Sequence, residues 1–326
     1  MKGVERGIPT KESEIMNFPK DLLGIADLKT PQFLKLLEIA QDLKKELKKK
    51  GKNRPLLHNK TLAMIFEKPS LRTRVSFETG MTQLGGHAIY LAPSDIQLGV
   101  RETVADAAGT LEKMVDGIMA RVFKHETLLE LSKTTKKIPI INALSDLEHP
   151  CQILADMLTI LEKKGRLKDI SLAFVGDGEN NVTHSLALAS GILGIDFRVA
   201  SPKGYKMLPQ ISEQAKILAK KSGGKISELD KPQEAVENAD VIYTDTWISM
   251  GDESSKKQRI KIFKSYQVTE ALMSLAKKDA IFMHDMPAYR GNEVAASVID
   301  GLKSVIFDQA GNRLHAQKAV LVSLIK

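Results

Sequence analysis

The residues able to do chemistry in this 326-residue chain are gathered just after short apolar runs. The first group is Ser70-Leu71-Arg72-Thr73-Arg74, preceded by Glu67-Lys68-Pro69 and the apolar run Leu62–Phe66. Pro69 and the hydroxyl of Ser70 predict a helix N-terminus. There, unpaired backbone N–H groups and the positive end of the helix dipole favour a phosphate. Ser70 and Thr73 add hydroxyl donors, and Arg72 adds a planar guanidinium fork. The same residues would serve equally well as a capped helix with two surface arginines. A second group, Gly176-Asp177-Gly178-Glu179-Asn180-Asn181, follows the run Ser171–Val175 and raises the possibility of dinucleotide binding. Asn181 stands where the third glycine of that motif belongs, and no distinctive acid follows about 20 positions on, which argues against a nucleotide-dependent oxidoreductase.

Strand-like runs are expected to position these groups at Leu62–Phe66, Ala88–Leu91, Gly117–Val122 and Ile138–Ile141. A second series is expected at Ser171–Val175, Asp196–Ala200, Val241–Thr244, Ala280–Met283 and Ser304–Phe307. Helical patterns alternate with them, among them Arg72–Leu84, Val104–Val115, Cys151–Lys163, Val182–Leu193 and Glu213–Lys221. Continuous apolar strands alternating with helices predict an α/β protein of two doubly wound parallel-sheet domains of similar size. The division is expected near Pro150, giving domains 1–150 and 151–308, with a last helix over 309–326 docking back on the first. In such sheets ligands sit beyond the carboxyl ends of the strands, where these groups fall.

Composition narrows the function further. The net charge is +8, and its densest basic run, Lys44 to Lys52, closes an amphipathic helical pattern. Lysines there form a solvated face that offsets the helix dipole. Aromatics are 5% and show no alternation with basic residues, which argues against nucleic acid. No apolar run reaches the ~18–20 residues of a membrane span, and the single cysteine, Cys151, allows no intrachain disulfide. A cytoplasmic protein is expected.

Four segments together resemble the aspartate/ornithine carbamoyltransferase superfamily. Phe66-Glu67-Lys68-Pro69-Ser70-Leu71-Arg72-Thr73-Arg74 is similar to its phosphate-binding Ser-x-Arg-Thr-Arg segment. Ser94-Asp95-Ile96-Gln97-Leu98-Gly99, Asp116-Gly117-Ile118-Met119-Ala120-Arg121 and His149-Pro150-Cys151-Gln152 follow in the family's order. The resemblance implies that Ser70, Leu71, Arg72 and Thr73 hold carbamoyl phosphate, with Arg121, His149 and Thr73 directed at its carbonyl oxygen. It implies further that Gln152 meets the carbamoyl NH2, that Arg313 is another contact, and that Gln97 serves a neighbouring subunit of a trimer or a multiple of trimers. Val175-Gly176-Asp177-Gly178-Glu179-Asn180-Asn181 and Asp245-Thr246-Trp247-Ile248-Ser249-Met250-Gly251 resemble the ornithine-specific members. There Asn181 contacts the amino acid, Asp245 can pair with an α-ammonium, and Ser249 with Met250 can meet a carboxylate. The implied reaction carbamoylates the δ-amine of L-ornithine, with no metal and no cofactor.

One position departs from the pattern. His284-Asp285-Met286-Pro287 stands where the ornithine enzymes usually carry His-Cys-Leu-Pro, with the Cys near the reacting amine and backbone groups at residues 285 and 286 touching the carbamoyl moiety. An ionised Asp285 would either hold the proton on the amine and slow attack or accept it as a general base. It also leaves open another amine substrate (an N-modified ornithine, lysine or putrescine) or a non-catalytic paralogue.

Overall fold

The alternation of apolar runs and amphipathic stretches folds into two parallel sheets, seen in a computed structural model that describes residues 16–248 and 256–326. The first sheet contains β1 (Thr61–Phe66), β2 (His87–Leu91), β3 (Gly117–Arg121) and β4 (Ile140–Leu144) in the order β2-β1-β3-β4. The second contains β5 (Ser171–Val175), β6 (Asp196–Ala200), β7 (Lys225–Leu229), β8 (Val241–Tyr243) and β9 (Ile281–Met283) in the order β7-β6-β5-β8-β9. Strands β3, β4 and β5 are buried throughout, as expected of parallel strands covered on both faces. This is the doubly wound α/β architecture expected from the sequence.

Three local expectations are corrected. Strand β7, Lys-Ile-Ser-Glu-Leu, was not among the expected strands, because at a half-exposed edge it needs only Ile226 to be buried. Strand β4 begins and ends later than expected. Pro139 has no N–H for the ladder, and the buried Asn142 extends the strand while its amide donates to Leu23 O at 2.7 Å. Ser304–Phe307 is not a strand. Ser304 makes one parallel bridge beside Phe282, and the chain then turns into the helix Ile306–Leu324, leaving Phe307 exposed.

That last helix packs against the helices Thr30–Lys50, Leu71–Gln83 and Pro150–Lys164. It is fastened by Lys318, whose ammonium donates to Asn53 Oδ1 at 2.7 Å and Gln83 Oε1 at 2.8 Å. Burial pulls this ammonium down to about 8. The helix therefore returns to the first sheet and carries Arg313 with it.

Glu148, fully buried, links the two halves. Its Oε2 accepts from Ile25 N at 2.9 Å and from Ser185 Oγ at 3.0 Å, and Ser185 belongs to the helix Asn181–Leu193 of the second half. Burial raises this carboxyl from 4.5 to about 7. The folded state therefore binds the proton more tightly than the unfolded chain does, so this group's contribution falls as pH rises from 4.5 through about 7. The Glu148→Gln variant keeps an acceptor oxygen and loses the charge. Its unfolding free energy should change less than that of the parent between pH 5 and pH 8, by an amount on the order of 2–3 kcal/mol, as read from denaturant melts. Parallel pH slopes for the two proteins would show that Glu148 is ionised at no cost.

Candidate active site

A cavity of about 940 Å³ opens where the carboxyl ends of both sheets converge. After β1, the helix Leu71–Gln83 starts with Ser70 as its cap, Ser70 Oγ accepting from Thr73 N at 3.3 Å. The exposed Leu71 borders the cavity, while Thr73 is fully buried. Arg74 turns away, pairing with Glu78 at 2.9 Å and lying over the Tyr90 ring. Of the two arginines, only Arg72 faces the cavity. Its guanidinium donates to Met286 O and so ties the first helix to the loop after β9.

Arg121 ends β3 where the register with β4 shifts between Ala120 and Arg121. Such irregularities re-aim side chains, and this one brings a buried guanidinium to the cavity with its Nε unpartnered. Burial, then Arg313 and Arg72, lowers it to about 10. His149 caps the helix Pro150–Lys164, its backbone N–H donating to Ser185 Oγ at 2.9 Å. Its Nδ1 is buried without a partner. Burial, then Arg313, Arg121, Lys68 and Arg72, drives the imidazole well below its ordinary value. It is neutral and carries a single N–H.

Arg313 crosses from the last helix, donating to Gln152 Oε1 at 2.6 Å and Thr73 Oγ1 at 3.3 Å. Gln152 passes the chain on to Asp156 at 2.8 Å. Asp156 also accepts from Tyr243 OH at 3.0 Å and Gln309 Nε2 at 2.8 Å, and burial raises its carboxyl to about 7. Lys68 completes the cluster. Its ammonium lies 5.0 Å from the centre of the Phe123 ring, and burial followed by Arg121 lowers it to about 8.

Across the cavity, Asp245 follows β8 and Asp285 follows β9. Asp245 accepts from Asn180 Nδ2 at 2.7 Å and Thr246 N at 2.6 Å. Asn181 lines the cavity, with its amide donating to Ser145 O at 2.6 Å. A side chain at Gly178 would place Cβ 2.6 Å from Tyr205 O, so close backbone packing accounts for this glycine-rich turn. Arg259 holds the base of the next loop, donating to Trp247 O at 2.5 Å and pairing with Asp177. Ser249 and Met250 lie outside the described residues. Oxygens of Asp245 and Asp285 and a ring nitrogen of His284 lie within 4.8 Å of one another, a spacing open to a metal. Met286 N–H, however, already donates to His284 Nδ1 at 2.9 Å.

The structure thus brings together Ser70, Leu71, Arg72, Thr73, Arg121, His149, Gln152, Asn181, Asp245, Asp285, Met286 and Arg313 around one cavity. Gln97 is not among them. It is exposed, with a left-handed backbone, and borders a separate apolar cavity of about 360 Å³ beside Phe66 and Phe123. Lys68, Asn180, Asp156 and Arg259 were not singled out in the sequence. Lys68 and Asn180 lie inside quoted motifs, whereas Asp156 and Arg259 leave no local signal, since only the fold brings them to the site.

A cation-rich cleft beside a carboxylate pocket, formed between two parallel α/β units, suits an enzyme that joins an anionic donor to a second small molecule. The chain belongs to the aspartate/ornithine carbamoyltransferase family. Residues 20–162 match the family's carbamoyl-P binding domain and residues 168–324 its Asp/Orn binding domain. The ornithine carbamoyltransferase of Anoxybacillus flavithermus is 52% identical over 306 residues, covering 94% of this chain and 96% of the relative. Ornithine carbamoyltransferase from Pyrococcus furiosus superposes with a TM-score of 0.90 at 50% identity, over 94% of this chain and 96% of its own. Anabolic ornithine carbamoyltransferase from Campylobacter jejuni does so with 0.89 at 44%, over 94% and 99%.

Buried cations placed side by side are costly when the anion is absent. The Arg121→Met variant should therefore raise the stability of the unliganded protein by about 1–2 kcal/mol. It should also weaken the stabilisation that the parent gains from inorganic phosphate, because one of the cleft's cations is gone while Ser70, Arg72 and Thr73 still hold the anion. Thermal melts with and without phosphate report both, and an unchanged phosphate response in the variant would remove Arg121 from the anion site.

Proposed function

We propose that the protein transfers the carbamoyl group of carbamoyl phosphate to the δ-amine of L-ornithine, giving L-citrulline and phosphate, a step of arginine metabolism. The observation that carries this reading is the cluster of Lys68, Arg72, Arg121 and Arg313 around a neutral His149, next to the Asp245 pocket. Relatives named as ornithine carbamoyltransferases over nearly the whole chain support ornithine as the acceptor.

In this reading the phosphate group sits at the N-terminus of the helix Leu71–Gln83, held by Ser70, the N–H of Leu71, Arg72 and Thr73. The carbonyl oxygen faces Arg121, the Thr73 hydroxyl and the N–H of His149. As the amine adds, this oxygen becomes an oxyanion, and each preorganised donor stabilises it by roughly 3–4 kcal/mol. A neutral His149 can only donate its hydrogen, so it polarises the carbonyl and does not protonate it. Gln152 meets the carbamoyl NH2 with the remaining lone pair of its amide oxygen. Arg313 contacts the ligand while holding Gln152 and Thr73 in place, and backbone groups at Asp285 and Met286 close the carbamoyl side. Asp245 takes the α-ammonium, and Asn181, Ser249 and Met250 take the carboxylate. Holding both reactants in line supplies much of the remaining rate.

Residues 1–150 with helix 309–326 form the carbamoyl phosphate domain in this account, and residues 151–308 form the amino-acid domain. The working unit is a trimer or a multiple of trimers, in which the exposed Gln97 reaches a neighbour's site. No helix among the described residues is long and apolar enough to cross a membrane, in keeping with work in the cytoplasm.

Citrulline formation from carbamoyl phosphate tests the assignment when ornithine is set against N-modified ornithine, lysine and putrescine. Ornithine should give the highest kcat/KM. Preference for another amine would overturn the acceptor, and no turnover with any would overturn the enzyme. The His149→Gln variant should lose about 10²–10³ in kcat, and parent-like kcat in that variant would take His149 off the carbonyl oxygen.

A further inference from the structure

Asp245 and Asp285 end adjacent strands, β8 and β9, and face each other across the acceptor side of the cavity. Both oxygens of Asp245 are engaged, by Asn180 and Thr246. Asp285 Oδ1 is buried with no hydrogen-bond partner. His284 Nδ1 lies 3.4 Å from Asp285 Oδ1, and against burial Asp285 and Glu293 raise that imidazole to about 9. Two carboxyls this close in a buried cleft favour one charge and one shared proton. The other charged or titratable groups facing the pair are Arg72, Arg121 and Arg313 from the first half and last helix, and Asp156, Tyr243 and His284 from the second.

We propose that Asp245 and Asp285 work as one carboxyl pair that holds a single proton in the empty enzyme, releases it when a diamino acid enters, and then takes a proton from the reacting ammonium through Asp285. The proposal rests on the ornithine reading. On entry, the α-ammonium displaces the shared proton to solvent and settles on Asp245, while the δ-ammonium settles on Asp285. One N–H bond then breaks as an O–H bond forms on Asp285, leaving a neutral amine. Its lone pair forms the N–C bond to the carbamoyl carbon, and the carbonyl π electrons move to oxygen. Their return breaks the C–O bond to phosphate, which leaves with that bonding pair and takes the remaining extra proton from nitrogen. When citrulline departs, the proton on Asp285 becomes the shared proton of the empty pair, so the proton displaced on entry is the only one released and turnover yields citrulline, hydrogen phosphate and one proton.

Titration directions agree with this division. Burial, then Asp285, pushes Asp245 well above the carboxylate range, making it the proton holder. Asp285 is held below its ordinary value against burial by His284, Asp245 and Arg72. Carbamoyl phosphate, by neutralising the arginines, relieves part of that restraint and makes Asp285 a better base once the donor is bound.

The test is calorimetry of ornithine binding to the intact enzyme saturated with a phosphonate analogue of carbamoyl phosphate, in buffers of different ionisation enthalpy. The parent should release about one proton more per site than Asp285→Asn or Asp285→Cys, since neither variant can share the proton. Below neutral pH, kcat of both variants at saturating ornithine should fall about tenfold per pH unit, because the bound δ-ammonium must lose its proton to solvent, whereas kcat of the parent should fall less steeply because Asp285 takes that proton within the complex. Equal proton counts together with equal pH slopes in folded parent and variants would overturn the pair. That outcome still leaves citrulline formation standing, whereas absence of turnover with any amine removes the reading beneath it.

Discussion

Mutual repulsion among four cations organises this molecule. Lys68, Arg72, Arg121 and Arg313 crowd around His149, and Arg72 and Arg313 donate to neutral oxygens of Met286, Gln152 and Thr73. Such an arrangement is unfavourable unless the scaffold imposes it or an anion relieves it. The scaffold imposes it from three directions. A helix N-terminus presents Arg72, an irregular strand end presents Arg121, and the last helix, anchored through Lys318, presents Arg313. Burial, reinforced by their shared field, keeps the imidazole of His149 neutral, so the cluster helps set the protonation state of its own polar donor.

The same constraint explains why the last helix has to return to the first sheet. Arg313 is nearly fully buried and depends on neutral acceptors, Gln152 and Thr73 among them, to offset the burial of its charge. Gln152 in turn needs Asp156, whose other oxygen is met by Tyr243 of β8. One connected polar network therefore runs from the phosphate end of the cavity into the second sheet. Buried networks of this kind are stabilising only when every member is satisfied. Around the cavity, Arg121 Nε, His149 Nδ1 and Asp285 Oδ1 are buried without a partner, and there a ligand can supply what the protein lacks.

Much of this was legible in the sequence, for a physical reason. The chemistry sits directly after strands, and in parallel sheets that position alone assigns residues to one edge. Ser70–Thr73 were read this way, Arg121, His149 and Asp245 were singled out through the resemblance to the family, and the parallel α/β class followed from buried apolar runs. What stayed hidden depends on neighbours distant in sequence. Strand β7 is half-exposed and lacks an apolar run. Asp156 reads as an ordinary polar residue of an amphipathic helix until Tyr243 and Gln309 arrive beside it. Arg259 pairs with Asp177 across 82 positions, and Asn180 reaches Asp245 across 65. No local spacing contains either contact.

The two sides of the cavity differ in how they treat charge, and that difference bears on chemistry. The donor side accumulates positive charge that cannot titrate away near neutral pH, apart from Lys68, which lies near 8. It is therefore ready for a dianion at any working pH. The acceptor side accumulates carboxyls, which respond to crowding by binding protons instead of remaining charged. An incoming ammonium has to meet a charge that appears only as it arrives, and the proton displaced leaves the pair able to receive another. Binding of the donor weakens the arginine field over Asp285, so occupation of one side alters proton affinity on the other without requiring the backbone to move. The coupling is electrostatic and short-ranged, and it follows from placing Asp285 between Arg72 and Asp245.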